Sequence, residues 1–301
     1  MAASRIIKLW SALPTPLRAD LTVDEAAVAR MVTASIEGGM EGVFLAGTCG
    51  EGPWLPEREK VKLIKTAKAA ARDQLKLAAQ VSDSSVPRIL DNIARVADAG
   101  ADIAVMASPA TFMNATPNRV VALFTEAVKA SPLPMAIYDL GAHRPVVIPV
   151  ERLREIYALP NVVMVKDSSG DDARRAEAIA AREMNPGLTL FNGDEFRCVE
   201  YLEAGYDGCM FGGAVAVMPL LRRIVIMVAL GEAALAREAD AEMRRVLFGI
   251  YGGESIACWL TGLKHCLVRQ GLFGSAASYL EYPLTTDCRA FIETYTAEGR
   301  D

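Results

Sequence analysis

A (β/α)8 TIM barrel of the α/β class with a C-terminal helical extension is the fold this sequence predicts, and two patterns and one absence predict it. Eight short apolar runs recur along the chain, each followed by a turn signal and apolar on both faces, as strands of a buried parallel sheet are. Amphipathic stretches with apolar residues at helical spacing lie between them. The first run ends in "ALPTPL", which lacks the glycine-rich turn that an open dinucleotide-binding sheet would want there.

The elements follow in order. "LWSALPT" from Leu9 is the first strand, and "VDEAAVARMVTASIEGG" is the helix behind it. "GVFLAG" from Gly42 is followed by "PEREKVKLIKTAKAAARD", and "LKLAAQV" from Leu75 by "VPRILDNIARVADAGA". The remaining strands are "DIAVMAS" from Asp102, "PMAIYD" from Pro134, "VVMVKD" from Val162, "LTLFNGD" from Leu188 and "DGCMFGG" from Asp207. "PLLRRIVIMVALG" supplies the eighth helix. The barrel therefore takes residues 1–231, and residues 232–301 form a helical extension of the same domain.

With 301 residues and 52% apolar content the chain can bury a large core. A net charge of −5, with no basic run longer than two residues, argues against nucleic acid and anionic membrane surfaces as partners. No apolar segment reaches the roughly 20 residues of a membrane span, and "MAASRIIKLWSALPTP" carries neither a signal-peptide nor a transit pattern, so a cytoplasmic location is expected. The six cysteines show no CxxC spacing and read as reduced core thiols. His143 and His265 are the only imidazoles, so no dedicated metal site and no cofactor are expected.

Barrel enzymes gather their chemistry at the C-terminal ends of the strands, where this chain places Thr48, Tyr138, Lys166, Asp194 and Glu195. Lys166 ends "VVMV", where apolar walls favour a free, nucleophilic amine able to condense with a carbonyl. The alternative is a lysine that snorkels out to pair with Asp167. Tyr138 ends "MAIY", and its phenol can pass protons if the Thr48 hydroxyl completes a relay; otherwise its ring simply packs. The turn "LAGTCGEGPWL", with Gly47, Gly50 and Gly52, can aim main-chain N–H groups at a carboxylate or phosphate, or be only a tight turn braced by Glu51. Asp194 and Glu195 read as helix caps, and "NGDEF" with "MFGGAVAVMP" keeps a phosphosugar ligand open.

Taken in order, "LPTPL", "GTCGE", "IYD", "VVMVKDSSGD", "NGDE" and "GYDGCMFGG" resemble the dihydrodipicolinate synthase and N-acetylneuraminate lyase family. The resemblance implies a Schiff-base-forming lyase, an aldolase or dehydratase acting without metal on pyruvate or a sugar-derived 2-oxo acid, and assembled as a homo-oligomer, a tetramer or dimer. It implies Lys166 as the Schiff-base lysine, Tyr138 as the proton-relay tyrosine, and Thr48 with the Cys49 amide and Gly47 around the substrate carboxylate. Gly193 and Met210 fall where family main-chain groups approach the substrate. The family's arginine for an incoming carboxylate falls at His143 or Arg144. The tyrosine pair of the synthase branch is replaced by Ala110 and Thr111, which sets 4-hydroxy-tetrahydrodipicolinate synthase activity beside a metabolite-binding barrel without turnover as rival readings.

Overall fold

In the computed structural model, which describes residues 6–298, the eight runs pair in parallel around a closed barrel, each beside its neighbour in sequence and the eighth beside the first. The strands are β1 (Lys8–Ala12), β2 (Gly42–Leu45), β3 (Lys76–Gln80), β4 (Ile103–Ala107), β5 (Met135–Asp139), β6 (Val162–Asp167), β7 (Thr189–Asn192) and β8 (Gly208–Phe211). The N-terminal leader reading rests in part on residues 1–5, which lie outside the described residues. No helix among the described residues is long and apolar enough to cross a membrane.

Helices α1 (Glu25–Glu37), α2 (Glu57–Ala71), α3 (Val86–Asp98) and α4 (Pro117–Ala130) cover the first half of the barrel. Local chemistry starts them: Asp24 accepts from the Ala27 amide at 3.2 Å, and Thr116 accepts from the Arg119 amide with Pro117 in the first turn of α4. The second half has α5 (Leu153–Tyr157), α6 (Asp172–Ala181), α7 (Cys198–Glu203) and α8 (Met218–Leu230). After the barrel come α9 (Ala233–Tyr251), α10 (Trp259–Arg269) and α11 (Thr286–Glu298).

Two apolar regions follow from strand alternation. Side chains pointing inward, among them Trp10, Phe44, Val105, Met164, Phe191 and Met210, fill the barrel axis; those pointing outward join the helices in one larger core. Large and small residues interlock inside: a side chain at Gly42 would begin 2.4 Å from the Trp10 indole, so the glycine makes room for that ring. All six cysteines are buried free thiols.

Two of the outward positions on β5 and β6 are acids. Asp139 accepts two bonds from the Arg174 guanidinium, both at 2.8 Å, plus the Tyr157 hydroxyl at 2.8 Å and the Gly141 amide at 3.0 Å. Asp167 accepts the Tyr206 hydroxyl at 2.8 Å and the Ser169 hydroxyl at 2.7 Å. Burial pushes the Asp167 carboxyl up, and the Ser169 and Tyr206 bonds oppose it. Arg174→Met is expected to strand a buried carboxylate and cost about 3–5 kcal/mol, read as a lower urea midpoint; an unchanged midpoint would show that Asp139 needs no cation.

Candidate active site

β5 and β6 pair so that Tyr138 stands opposite Lys166 and Asp139 opposite Asp167. Because side chains alternate, both acids face the helices while the phenol and the amine face the barrel mouth. Lys166 is 5% exposed, and its Nζ lies 4.1 Å from the Tyr138 ring centroid and 5.6 Å from that of Phe44. These aromatic faces favour a cation weakly and offer no carboxylate. Phe44 meets Tyr138 edge to face at 5.7 Å and fixes the ring.

Among the described residues three lysines are buried, and their partners separate them. Lys60 pairs with Glu57 at 3.1 Å. Lys264 pairs with Glu51, with both side chains fully buried, and also donates to the Ala277 carbonyl at 2.7 Å. Burial pushes the Lys264 amine down, and Glu51 pulls it back up. Lys166 has no ion pair among the described residues; Asp167, its neighbour in sequence, is held by Tyr206 and Ser169 on the other side of the sheet. The snorkelling alternative is therefore not what the chain adopts.

Gly193 gives the lysine its path. A side chain there would begin 2.8 Å from Lys166 Cε and 2.0 Å from Ser168 Oγ. Ser168 itself was missed from sequence. Its Oγ is buried without a hydrogen-bond partner among the described residues and lines the same cavity as Lys166. The signal was present: Ser168 is two residues beyond Lys166, and the period of a strand carries it to the same face.

The turn after β2 is held from outside. Ala46 and Glu51 both take positive φ, 54° and 56°. Glu51 accepts Lys264, the Ser278 hydroxyl at 2.8 Å and the Tyr279 amide at 2.6 Å, while Thr15 donates to the Gly50 carbonyl at 2.6 Å. Thr48 sits half-buried at the mouth of this turn and accepts from Arg144 Nη2 at 3.1 Å. Cys49 turns its thiol inward against Gly212, and burial pushes that thiol up to about 12. Gly47 packs against the Phe44 ring.

A cavity of about 720 Å³ opens here, lined by Thr48, Tyr138, His143, Arg144, Lys166 and Gly193 among others. Both His143 and Arg144 line the cavity, and Arg144 is the one bonded to Thr48. Four expected positions do not line this cavity. Met210 is 1% exposed inside the barrel, because β8 continues to Phe211 and keeps it in the interior layer. Thr111 lines a separate polar groove of about 270 Å³ beside Ser84 and Arg88, because the loop after β4 leads away from the lysine. Cys49 and Gly47 reach the site only through the main chain of their turn.

The carboxylates after β7 also differ from the cap reading. Arg197, not an acid, occupies the N-cap of α7. Asp194 accepts the Phe196 amide at 3.0 Å within the preceding turn. Glu195 accepts the Tyr251 hydroxyl at 2.6 Å and the Gly213 amide at 2.9 Å, tying the loops after β7 and β8 to α9. Burial pushes the Glu195 carboxyl up, against those two bonds and the pull of Lys166.

A barrel that presents an amine, a phenol and a hydroxyl around one cavity holds the groups for covalent catalysis on a carbonyl. The chain belongs to the dihydrodipicolinate synthetase family, whose sequence profile matches residues 5–286. It is 27% identical over 241 residues to the 4-hydroxy-tetrahydrodipicolinate synthase of Mycolicibacterium paratuberculosis, covering 80% of this chain and 78% of that one. It is 27% identical over 267 residues to 4-hydroxy-tetrahydrodipicolinate synthase 2 of Streptomyces coelicolor, covering 88% and 86%. The fold matches dihydrodipicolinate synthase from Bacteroides thetaiotaomicron with a TM-score of 0.86 at 24% identity over 98% of each chain. It also matches CdNal from Clostridium difficile in complex with mannosamine, with a TM-score of 0.84 at 16% identity over 97% and 99% of the two chains.

Gly193→Ala is expected to push the Lys166 stem off its path and slow borohydride trapping of a carbonyl compound on that lysine by about 10²-fold, a loss typical of an ångström-scale misplacement. Trapping at the original rate would mean that the lysine approaches by another route.

Proposed function

We propose that this chain is a lyase in which Lys166 forms a Schiff base with pyruvate or a sugar-derived 2-oxo acid. The observation that carries the reading is a buried lysine without an acidic partner, registered beside Tyr138 and opening into the cavity. Its amine attacks the 2-oxo carbon, the carbonyl oxygen leaves as water with one proton from the amine and one from the Tyr138 phenol, and an iminium remains as an electron sink beside the Tyr138 phenolate. In cleavage, Tyr138 takes the proton of the C4 hydroxyl, the C3–C4 bond breaks, and its electron pair moves through C3 to the iminium nitrogen as an enamine. The aldehyde leaves, C3 is reprotonated, and water releases the 2-oxo acid and the free lysine.

The substrate carboxylate lies against the main chain of the Thr48–Cys49 turn, with Arg144 as its cation. The bond between Arg144 and Thr48 supports that placement, and a guanidinium suits a planar carboxylate. His143, which lines the same cavity, is given no role in carboxylate binding. Assembly as a homo-oligomer and a cytoplasmic location belong to the same proposal and rest on the family resemblance.

Synthase activity is the second reading, favoured by the names of the relatives at 27% identity. Against it, Thr48 shares its hydroxyl with Arg144, and Thr111 stands in the neighbouring groove. Consumption of aspartate semialdehyde with pyruvate would decide in its favour.

Pyruvate with borohydride is expected to add mass to the wild type and none to Lys166→Ala, which should keep its fold because the amine is a reactive group rather than core packing. Tyr138→Phe is expected to retain the adduct while turnover falls by about 10²–10⁴-fold. A wild-type level of adduct in Lys166→Ala would end the assignment.

A further inference from the structure

We infer that the part of the substrate beyond C4 is apolar or aromatic rather than a polyhydroxylated chain. The inference rests on the lysine chemistry proposed above and concerns a different wall of the same cavity. The C-terminal extension contributes Phe248, Glu254, Ile256, Trp259 and Tyr282 to that wall, four of the five apolar or aromatic. Phe196, from the loop after β7, stacks on Phe248 with centroids 4.5 Å apart and planes 5° from parallel, and Trp259 meets Tyr282 edge-on at 5.5 Å. Flat rings bind such a surface by stacking and by edge contact.

Exposure supports a ligand at this wall. Ile256 is 37% and Tyr282 39% exposed, although both are large and the core could have taken them. Apolar groups left open around a concavity mark binding surfaces. The backbone also holds Ile256 out. Its φ is 47°, a left-handed conformation that β-branched residues rarely adopt. Its amide donates to the Gly253 carbonyl at 2.9 Å, and its carbonyl accepts the Trp259 amide at 3.1 Å.

Most of the carboxylate oxygens that would read sugar hydroxyls are turned to the protein. Both Glu195 oxygens accept protein bonds, from Tyr251 and Gly213, and Asp194 accepts the Phe196 amide. Glu254, His143 and the second Asp194 oxygen remain at the cavity, few groups for a polyol chain, while Arg144, Thr48 and Ser168 belong to the lysine end. The reaction then joins the pyruvate enamine carbon to an apolar or aryl aldehyde. The new C3–C4 bond takes the enamine electron pair, the aldehyde oxygen takes a proton from Tyr138, and water hydrolyses the iminium to a 4-hydroxy-2-oxo acid and free Lys166.

The test compares benzaldehyde with D-glyceraldehyde as partners of pyruvate in the full-length protein, with product identified by mass and borohydride trapping of pyruvate run alongside. The expected result is a kcat/KM for benzaldehyde about tenfold or more above that for D-glyceraldehyde. Trp259→Ala should erase the preference and Trp259→Phe should keep it. Trapping with equal rates, or with D-glyceraldehyde preferred, overturns this inference and leaves the lysine assignment standing. Absence of trapping in the wild type overturns both.

Discussion

The pairing of β5 with β6 is the constraint on which the site depends. One register sets two adjacent residue pairs side by side, Tyr138 with Lys166 and Asp139 with Asp167. The alternation of the strand then sorts them. Reactive groups go to the mouth, and acids go to the helix layer, where Arg174, Tyr157, Tyr206 and Ser169 satisfy them. A one-residue slip of β6 would turn Asp167 to the cavity and Lys166 to the helices, away from Tyr138. Loss of the Tyr206 and Ser169 bonds to Asp167 would make that register costly, and the lysine is left without an acid as a by-product of geometry.

The helical extension acts as the outer frame of the same site. Lys264 reaches Glu51 and fixes the turn that carries Thr48, and Tyr251 reaches Glu195 and fixes the loops after β7 and β8. Two buried carboxylates at the barrel mouth are therefore consumed in holding main chain. What remains to meet a ligand is chemically sparse: the amine, the phenol, the Thr48 and Ser168 hydroxyls, Arg144, His143, Asp194 and Glu254, and an apolar rim. Sparse polar groups in an otherwise apolar concavity orient a small substrate and discriminate among its analogues.

Much of this was legible in the sequence, for physical reasons. Lys166 and Tyr138 stand at the ends of apolar runs, where inward-facing strand positions open into the barrel mouth. The eight strands declared themselves because a parallel sheet covered on both sides must be apolar throughout. The pair Glu51 and Lys264 is separated by 213 positions, so no local period signals it. Arg144 and His143 could not be told apart by counting, because the single turn of 3-10 helix at Gly141–His143 sets the chain's direction after β5. Ser168 was available through the two-residue period and was passed over because a serine run looks like a turn.

The central claim is that the register of β5 and β6 delivers one reactive amine beside one phenol and one carboxylate cradle. A crystal structure of the borohydride-reduced pyruvate adduct tests it most directly. The account predicts a single pyruvyl group on Lys166 Nζ, its carboxylate against the Thr48–Cys49 turn near Arg144, and the Tyr138 hydroxyl within hydrogen-bonding distance of the reduced carbon's substituents. A pyruvyl group on another lysine, or one on Lys166 with its carboxylate directed away from the Thr48 turn, would contradict it.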